Sequence, residues 1–99
     1  MWFAIMSTDV PNSTLLRQKH RPAHLDRLND LAGQDRLLLA GPHPKTDELN
    51  PKDPAFTGSL VVAKFDSLID AQAWADQDPF ILNGVYQSTI VKPFKLVLP

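Results

Sequence analysis

The sequence predicts an α+β fold in which strands and helices follow one another in the order βαββαβ. Three observations predict it: β-rich apolar runs that end at turn residues, two segments of helical periodicity between them, and a length of 99 residues, which suits one domain (1–99). This order is the split β-α-β arrangement, or ferredoxin-like fold. It builds an antiparallel sheet with both helices on one face.

The first strand is predicted at Trp2–Ser7, an aromatic-rich apolar run closed by turn residues. A helix follows over Ser13–Gly33, with Ser13 as a plausible N-cap and leucines recurring at steps of three and four residues. Pro22 interrupts this pattern, so either one helix kinks near Gln18–Pro22 or a shorter helix begins near Arg21. One kinked helix is the preferred interpretation.

The middle of the chain is predicted as strand, loop and strand. Arg36–Ala40 is a nearly continuous apolar run that ends at a Gly-Pro pair, which predicts a central strand covered on both faces. His43–Thr57 contains three prolines among polar residues and shows almost no periodicity, so it is predicted as a long loop. Gly58–Phe65 is rich in β-formers and predicts the third strand.

The last third of the chain is predicted to contain one helix and one strand. Asp66-Ser67 offers an N-cap for an alanine-rich helix over Leu68–Ala75. After an Asn-Gly turn, Val85–Val91 alternates polar and apolar residues as the fourth strand. Pro93 is expected to end this strand, and Phe94–Leu98 to form a short edge strand.

The second and third strands carry apolar residues at consecutive positions, and therefore on both faces of the sheet. Because the helices cover only one face, the other face needs a partner. A second copy of the chain would supply it, which predicts a homodimer that packs sheet on sheet about a two-fold axis.

The composition excludes several classes of function. With 43% hydrophobic residues, 21% charged residues and a net charge of -1, the chain resembles neither a disordered segment nor a nucleic-acid-binding protein. It contains no cysteine, which removes disulfides and thiolate chemistry. No signal peptide is apparent, and no apolar stretch approaches the roughly 18 residues of a membrane span. We expect a cytoplasmic protein without membrane or nucleic-acid partners.

His24 is the first candidate for chemistry. On a helical wheel of about 100° per residue, the leucines of the first helix surround it, which places it on the predicted buried stripe. Arg21 falls about 60° away and, if the helix runs through Pro22, Arg17 falls about 20° away. Either a core histidine beside arginines that reach outward or a polar pocket between helix and sheet would explain this stripe.

Asp78 is the second candidate. It stands at the end of the second predicted helix, where the negative end of the helix dipole disfavours a carboxylate. A histidine partner would explain it, because a carboxylate that binds one imidazole nitrogen makes the other a better base. An Asp-Pro turn in which the carboxylate binds nearby backbone is the alternative, and the local sequence alone favours it.

Other motifs give weaker signals. Ser59 opens the third strand and could orient a substrate oxygen, but no nucleophile-elbow motif surrounds it and an ordinary exposed strand serine is the plainer interpretation. His20 and His24 have the spacing of two metal ligands, yet no third ligand is apparent. The glycines are scattered and form no nucleotide-binding motif. We therefore expect neither a metal nor a cofactor.

Several stretches occur together in a characteristic order and spacing: Arg21–Leu25, Arg36–Pro42, Phe56–Ser59, Ala71–Ala75, Asp78–Phe80, Gly84–Tyr86 and Val91–Phe94. In them the chain resembles the YciI (YCII-related) family over essentially its whole length. The resemblance implies a ferredoxin-like subunit in a dimeric α/β barrel, similar in architecture to muconolactone isomerases. It also implies an active site built on a histidine and an aspartate, which correspond to His24 and Asp78. Arg21 and Ser59 match neighbouring family motifs and are carried over as accessory groups.

We therefore expect a cofactor-independent enzyme that moves a proton on a small organic acid or lactone-like molecule, as an isomerase or lyase. His24 would take the proton and Asp78 would orient and charge the imidazole, while Arg21 holds an anionic oxygen and Ser59 donates a hydrogen bond to it. The alternative is a dimeric binding or accessory module that captures a metabolite without turning it over. Such a module needs only a polar pocket, whereas the enzyme needs His24 and Asp78 within hydrogen-bond reach.

Overall fold

A computed structural model describes all 99 residues, and its α+β architecture confirms the predicted fold class. The order of elements contains one short helix, α3, that the sequence pattern did not predict. The elements are β1 (Trp2–Asp9), α1 (Thr14–Gly33), β2 (Leu37–Pro44), β3 (Phe56–Lys64), α2 (Leu68–Asp76), α3 (Pro79–Leu82) and β4 (Tyr86–Phe94). None of the helices combines the length and the apolar character needed to cross a bilayer.

The four strands form one antiparallel sheet in the order β2-β3-β1-β4, the ferredoxin-like arrangement. The central strand β1 pairs with both β3 and β4, so that Ile5 lies opposite Val61 on one side and Val91 on the other. Both long helices cover the face on which these side chains lie. The core there is formed by Phe3, Ile5, Leu28, Leu31, Val61, Ala63, Phe65, Ala71 and Ala75.

The opposite face of the sheet has no helix over it. The alternation of side chains along a strand places Met6, Leu60 and Ile90 there, in register across β1, β3 and β4. Ile90 remains 54% exposed, and Leu39 of β2 remains 45% exposed. This apolar surface is the one for which the sequence predicted a covering partner.

The prediction of β2 as a central strand covered on both faces is wrong. β2 lies at the edge of the sheet and pairs only with β3. It extends through Pro44, and every residue after Leu37 is exposed. The consecutive leucines arise at an irregularity in the pairing between Leu37 and Leu39, which changes the side-chain alternation.

The predicted end of the fourth strand is also wrong. β4 continues through Pro93, which lies opposite Phe3, to Phe94. An edge strand tolerates proline because one side of it has no hydrogen-bonded neighbour. The additional strand predicted at Phe94–Leu98 does not form, since no regular structure follows Phe94.

The first helix is a single element that runs through Pro22, as predicted. Pro22 and Gln18 are both exposed, so water can satisfy the carbonyl that a proline leaves without its N–H partner. Ser13 does not cap the helix as expected, because its hydroxyl donates to Asp9 Oδ2 at 2.6 Å instead. In α2, by contrast, Ser67 is an N-cap and accepts a hydrogen bond from the Asp70 N–H at 3.1 Å.

Candidate functional site

A cavity of about 430 Å³ lies between α1 and the strands β2 and β3. Its wall is largely apolar, with a few polar side chains that include all but one of the four predicted site residues. The lining residues are Thr14, Arg17, Gln18, Arg21, His24, Leu25, Leu28, Asn29, Leu37, Ala40, Gly41, Pro42, Pro54, Phe56, Ser59, Val61 and Phe80. An apolar cleft with few convergent polar groups is the usual form of a small-molecule site.

His24 and Asp78, the two predicted catalytic residues, are hydrogen-bonded to each other, and His24 lines the cavity. His24 Nδ1 lies 2.8 Å from Asp78 Oδ1 and 3.0 Å from Oδ2, and both side chains are more than nine-tenths buried. Asp78 Oδ1 also accepts the Phe80 N–H at 2.9 Å, which makes Asp78 the N-cap of α3. The sequence suggested two reasons for a carboxylate at position 78, a histidine partner and a local turn. Asp78 makes both kinds of contact.

The aromatic residues around His24 fix the plane of its ring. The imidazole stacks on Phe80 with a centroid distance of 4.0 Å and an interplanar angle of 6°. Tyr86 meets it edge-on at 6.4 Å. Because a carboxylate can only accept, Nδ1 donates to Asp78, and the neutral ring then carries its lone pair on Nε2.

A buried ion pair lies beside the His24–Asp78 pair. Arg17 Nε donates to Asp9 Oδ2 at 2.6 Å, and its Nη2 donates to Asp9 Oδ1 at 2.9 Å. Arg17 is 8% exposed and Asp9 is 6% exposed. The pair joins the end of β1 to the first turn of α1.

Arg17 also connects this pair to β3. Its Nη2 donates to the carbonyl oxygen of Gly58 and to Ser59 Oγ, each at 3.0 Å. Ser59 is buried, so its interpretation as an exposed strand serine is wrong. Gly58 is required at this point, since a Cβ there would collide with the carbonyl oxygen of Ser7 on β1.

Arg21 occupies a different environment from the other three predicted residues. It lines the cavity from the exposed side of α1 and makes no side-chain hydrogen bond. The wheel already placed Arg17 nearer to the buried stripe than Arg21. That signal depended on a helix that continues through Pro22, as α1 does.

Two titratable groups next to these two pairs have shifted pKa values. Burial raises the pKa of Tyr86 to about 12, with the Ser59 hydroxyl and the Arg17 guanidinium acting in the opposite direction. Burial lowers the pKa of Arg27, and the nearby negative charge of Asp78 opposes this shift. Sequence reasoning gave no role to either residue.

The structure adds no third ligand to the two histidines of α1. No three His, Asp or Glu side chains come together in an arrangement that could hold a metal ion. His20 and His24 have the spacing of two metal ligands, but they do not belong to a cluster of three or more ligand side chains.

Comparison with known proteins gives close matches over the whole chain. The family model of the YCII-related domain matches residues 1–95. A protein of Haemophilus influenzae described only as uncharacterized is 47% identical over 97 residues, which are 98% of this chain and 99% of that protein. Protein YciI of Escherichia coli O6:H1 is 50% identical over 97 residues, with the same coverage.

A solved structure of an enzyme has the same fold as this chain. It is the 5-chloro-2-hydroxyhydroquinone dehydrochlorinase of Burkholderia phenoliruptrix, in complex with 2,5-dihydroxybenzoquinone. Its TM-score is 0.84 and its sequence identity is 27%, over 96% of this chain and 94% of that one.

Proposed function

We propose, from the premise that this chain belongs to the YCII-related domain family, that it is an enzyme for proton transfer on a small anionic organic molecule. The reaction would be an isomerisation or an elimination that uses no cofactor. The observation that carries the proposal is the buried His24–Asp78 pair, of which His24 lines the cavity. We also propose that residues 1–99 act as one domain, which the family match over residues 1–95 supports, and that the protein acts in the cytoplasm, as the absence of cysteine suggests.

In the proposed mechanism His24 is the general base. Its Nδ1 is held by Asp78, so Nε2 is the nitrogen that takes a proton from substrate. Asp78 then stabilises the imidazolium, and the stack on Phe80 keeps the ring in one plane. General-base assistance of this kind contributes about a hundredfold to ten-thousandfold in rate.

The two accessory residues would act on the substrate's oxygen. Ser59 Oγ accepts a hydrogen bond from Arg17, and its O–H, which lies beside the Tyr86 phenol, would turn to donate to a substrate oxygen. Arg21, on the exposed side of the cavity, would attract an anionic substrate. Neither residue is proposed to move a proton.

The dehydrochlorinase supports this proposal through its chemistry. Loss of HCl from a substrate removes a proton together with chloride, so a proton acceptor belongs in such a site. We propose that this chain carries out a proton transfer of the same general class on a planar oxygenated molecule. Whether the proton transfer expels a leaving group or shifts a double bond depends on the structure of the substrate.

Solvent deuterium exchange tests the proposal without knowledge of the product. The protein is incubated in D₂O with 5-chloro-2-hydroxyhydroquinone, 2,5-dihydroxybenzoquinone and a panel of unsaturated lactones, and deuterium incorporation and turnover are followed by NMR. We expect exchange or turnover on at least one compound, reduced about a hundredfold or more by His24→Asn. The matched control is His20→Asn, which removes an imidazole from the same helix outside the cavity.

The results separate the enzyme from the binding module. Exchange that depends on His24 and is unaffected by His20→Asn supports the enzyme. A compound that binds with the same affinity to wild type and His24→Asn, without exchange in either, supports capture of a metabolite and contradicts catalysis.

We further propose that two copies pack through the uncovered face of the sheet. The exposed apolar side chains of this face, such as Ile90 and Leu39, support that arrangement. We expect light scattering to give a dimer for wild type and a monomer for Ile90→Lys. Leu49→Lys, in an exposed loop, is the control and should remain dimeric. A monomeric wild type at high concentration would contradict the dimer.

A further inference from the structure

The cavity has a polar end and an apolar end. Along α1 its lining begins with Thr14 and Arg17, and it finishes with Leu28 and the exposed Asn29. At a rise of about 1.5 Å per residue, Arg17 and Leu28 are about 16 Å apart along the helix axis. His24 lies between them. A molecule that reaches from His24 towards Leu28 therefore meets hydrocarbon.

The strands beneath α1 repeat this order. Ser59 of β3 lies opposite Pro42 of β2 at the polar end. Two residues further along β3, Val61 lies opposite Ala40, and both line the cavity. Because the residues of a cross-strand pair point to the same face of a sheet, Ala40 faces α1 together with the buried Val61. The floor of the cavity thus changes from hydroxyl to hydrocarbon over about 7 Å.

A small side chain at position 40 leaves the apolar end unfilled. Val61, on the inner strand, belongs with Leu28 to the hydrophobic core. At the same level of the edge strand, Ala40 offers only a methyl group and is exposed. The adjacent Gly41 has no side chain, and a Cβ there would meet no atom within 4 Å. We call this unfilled space the apolar arm; it is lined by Leu25, Leu28, Leu37, Ala40 and Val61.

The cavity is larger than a single ring requires. An apolar cavity of about 150 Å³ holds one benzene molecule. This cavity measures about 430 Å³. A six-membered ring that reaches His24 with its oxygen substituents at the polar end therefore leaves the apolar arm largely empty. Water in the arm has few polar partners, so hydrocarbon that replaces this water is stabilised there.

We infer that the substrate carries, besides its oxygenated part, an apolar group of several carbon atoms that lies in the apolar arm, and that Ala40 determines how long this group can be. The inference rests on the proposed function for the position of the oxygenated part, close to His24. It concerns the selection of substrate alone. Its test can therefore fail independently of the test of catalysis.

Calorimetry with 2,5-dihydroxybenzoquinone and its 3-methyl, 3-propyl and 3-hexyl derivatives tests the inference. Each methylene group that enters the apolar arm should tighten binding by up to about fourfold, because it leaves water for an apolar wall. We expect the hexyl derivative to bind wild type at least about 30-fold more tightly than the unsubstituted quinone.

Variants at position 40 show whether the chain lies in the arm. Ala40→Leu fills the arm with an isobutyl group, and it should weaken binding of the hexyl derivative about tenfold or more. Binding of the unsubstituted quinone should stay within about twofold of wild type, because that ligand does not need the arm. Ala40→Val should give an intermediate loss. The matched control is Ala32→Leu, the same change at an exposed position of α1 outside the cavity, which should affect neither ligand.

A second measurement uses wild type alone, in case Ala40→Leu does not fold. In protein with labelled methyl groups, the hexyl chain should give nuclear Overhauser contacts to the methyl groups of Leu28, Leu37 and Val61. The unsubstituted quinone should give none of them.

The outcomes separate substrate selection from catalysis. The inference is overturned if the hexyl derivative binds no more tightly than the quinone, if its chain does not contact these methyl groups, or if Ala40→Leu weakens both ligands equally. Absence of binding by the whole series overturns it as well. If the arm binds the chain but exchange does not depend on His24, the inference stands and the proposed catalysis fails. If exchange depends on His24 and chain length makes no difference, catalysis stands and the inference fails.

Discussion

The two buried carboxylates, Asp9 and Asp78, lie in neighbouring networks and have different partners. Asp9 accepts two hydrogen bonds from an arginine that keeps its proton, and a third from Ser13. Asp78 accepts from an imidazole, whose charge can change, and from the Phe80 N–H. The two carboxylates thus differ in their partners: a guanidinium that keeps its charge holds Asp9, whereas an imidazole and a backbone N–H hold Asp78.

The largest expected effect comes from removing the charge of the fixed pair. Asp9→Asn leaves the buried Arg17 guanidinium without a counter-charge, which typically costs about 3–5 kcal/mol of stability. Urea unfolding with the m-value checked is the measurement. Asp26→Asn, an exposed position on α1, is the control and should change stability by about 0.5 kcal/mol or less. A loss below about 1 kcal/mol in Asp9→Asn would show that water reaches the pair.

The second prediction uses Tyr86, which borders both networks. Its phenol has a pKa of about 12 in the folded protein against 10.0 as the ordinary value. The folded state therefore holds this proton more tightly than the unfolded state. The stability that it contributes is complete below about pH 10 and is lost as the pH rises to about 12, at most about 2–3 kcal/mol in all.

Tyr86 is the only tyrosine of the chain, so ultraviolet absorbance reports its ionisation directly. The titration should have its midpoint near pH 12 in the native protein and near pH 10 in denaturant. Tyr86→Phe keeps the ring against His24 and should remove this part of the pH dependence. A native midpoint near pH 10 would mean that the phenol is exposed to water. Water would then also reach the two hydrogen-bond networks that Tyr86 borders.

The sequence predicts one of these networks much better than the other. His24 lies on the leucine stripe of α1, and the family resemblance identified Asp78 as its partner. Asp9 offered no comparable signal, because it ends a strand in a turn-like sequence and its partner Arg17 lies in the first turn of α1, eight residues along the chain. The wheel placed Arg17 close to the stripe, but only tertiary structure shows which carboxylate neutralises it.

The fold was predictable in class and order, and less so at the edges of the sheet. Local apolar runs located all four strands, since strand formers are concentrated there. The same runs could not show that β2 is an edge strand, because a sequence does not distinguish a face covered by its own chain from one left open for a partner. The continuation of β4 through Pro93 likewise depends on its edge position.

The smallest expected effect on stability is at Asp78, and it completes the comparison. In Asp78→Asn an amide oxygen in the place of Oδ1 can still accept from both the Phe80 N–H and His24 Nδ1, so we expect a loss of only about 1–2 kcal/mol. The preference for a proton on Nδ1 should weaken, which ¹⁵N correlation spectra of the imidazole detect directly. Asp76→Asn, at the exposed end of α2, should change neither quantity appreciably. If Asp78→Asn destabilised the protein as much as Asp9→Asn and left the His24 tautomer unchanged, both carboxylates would be structural. A modest loss of stability with a changed tautomer would instead assign the proton-carrying role to the His24–Asp78 pair alone.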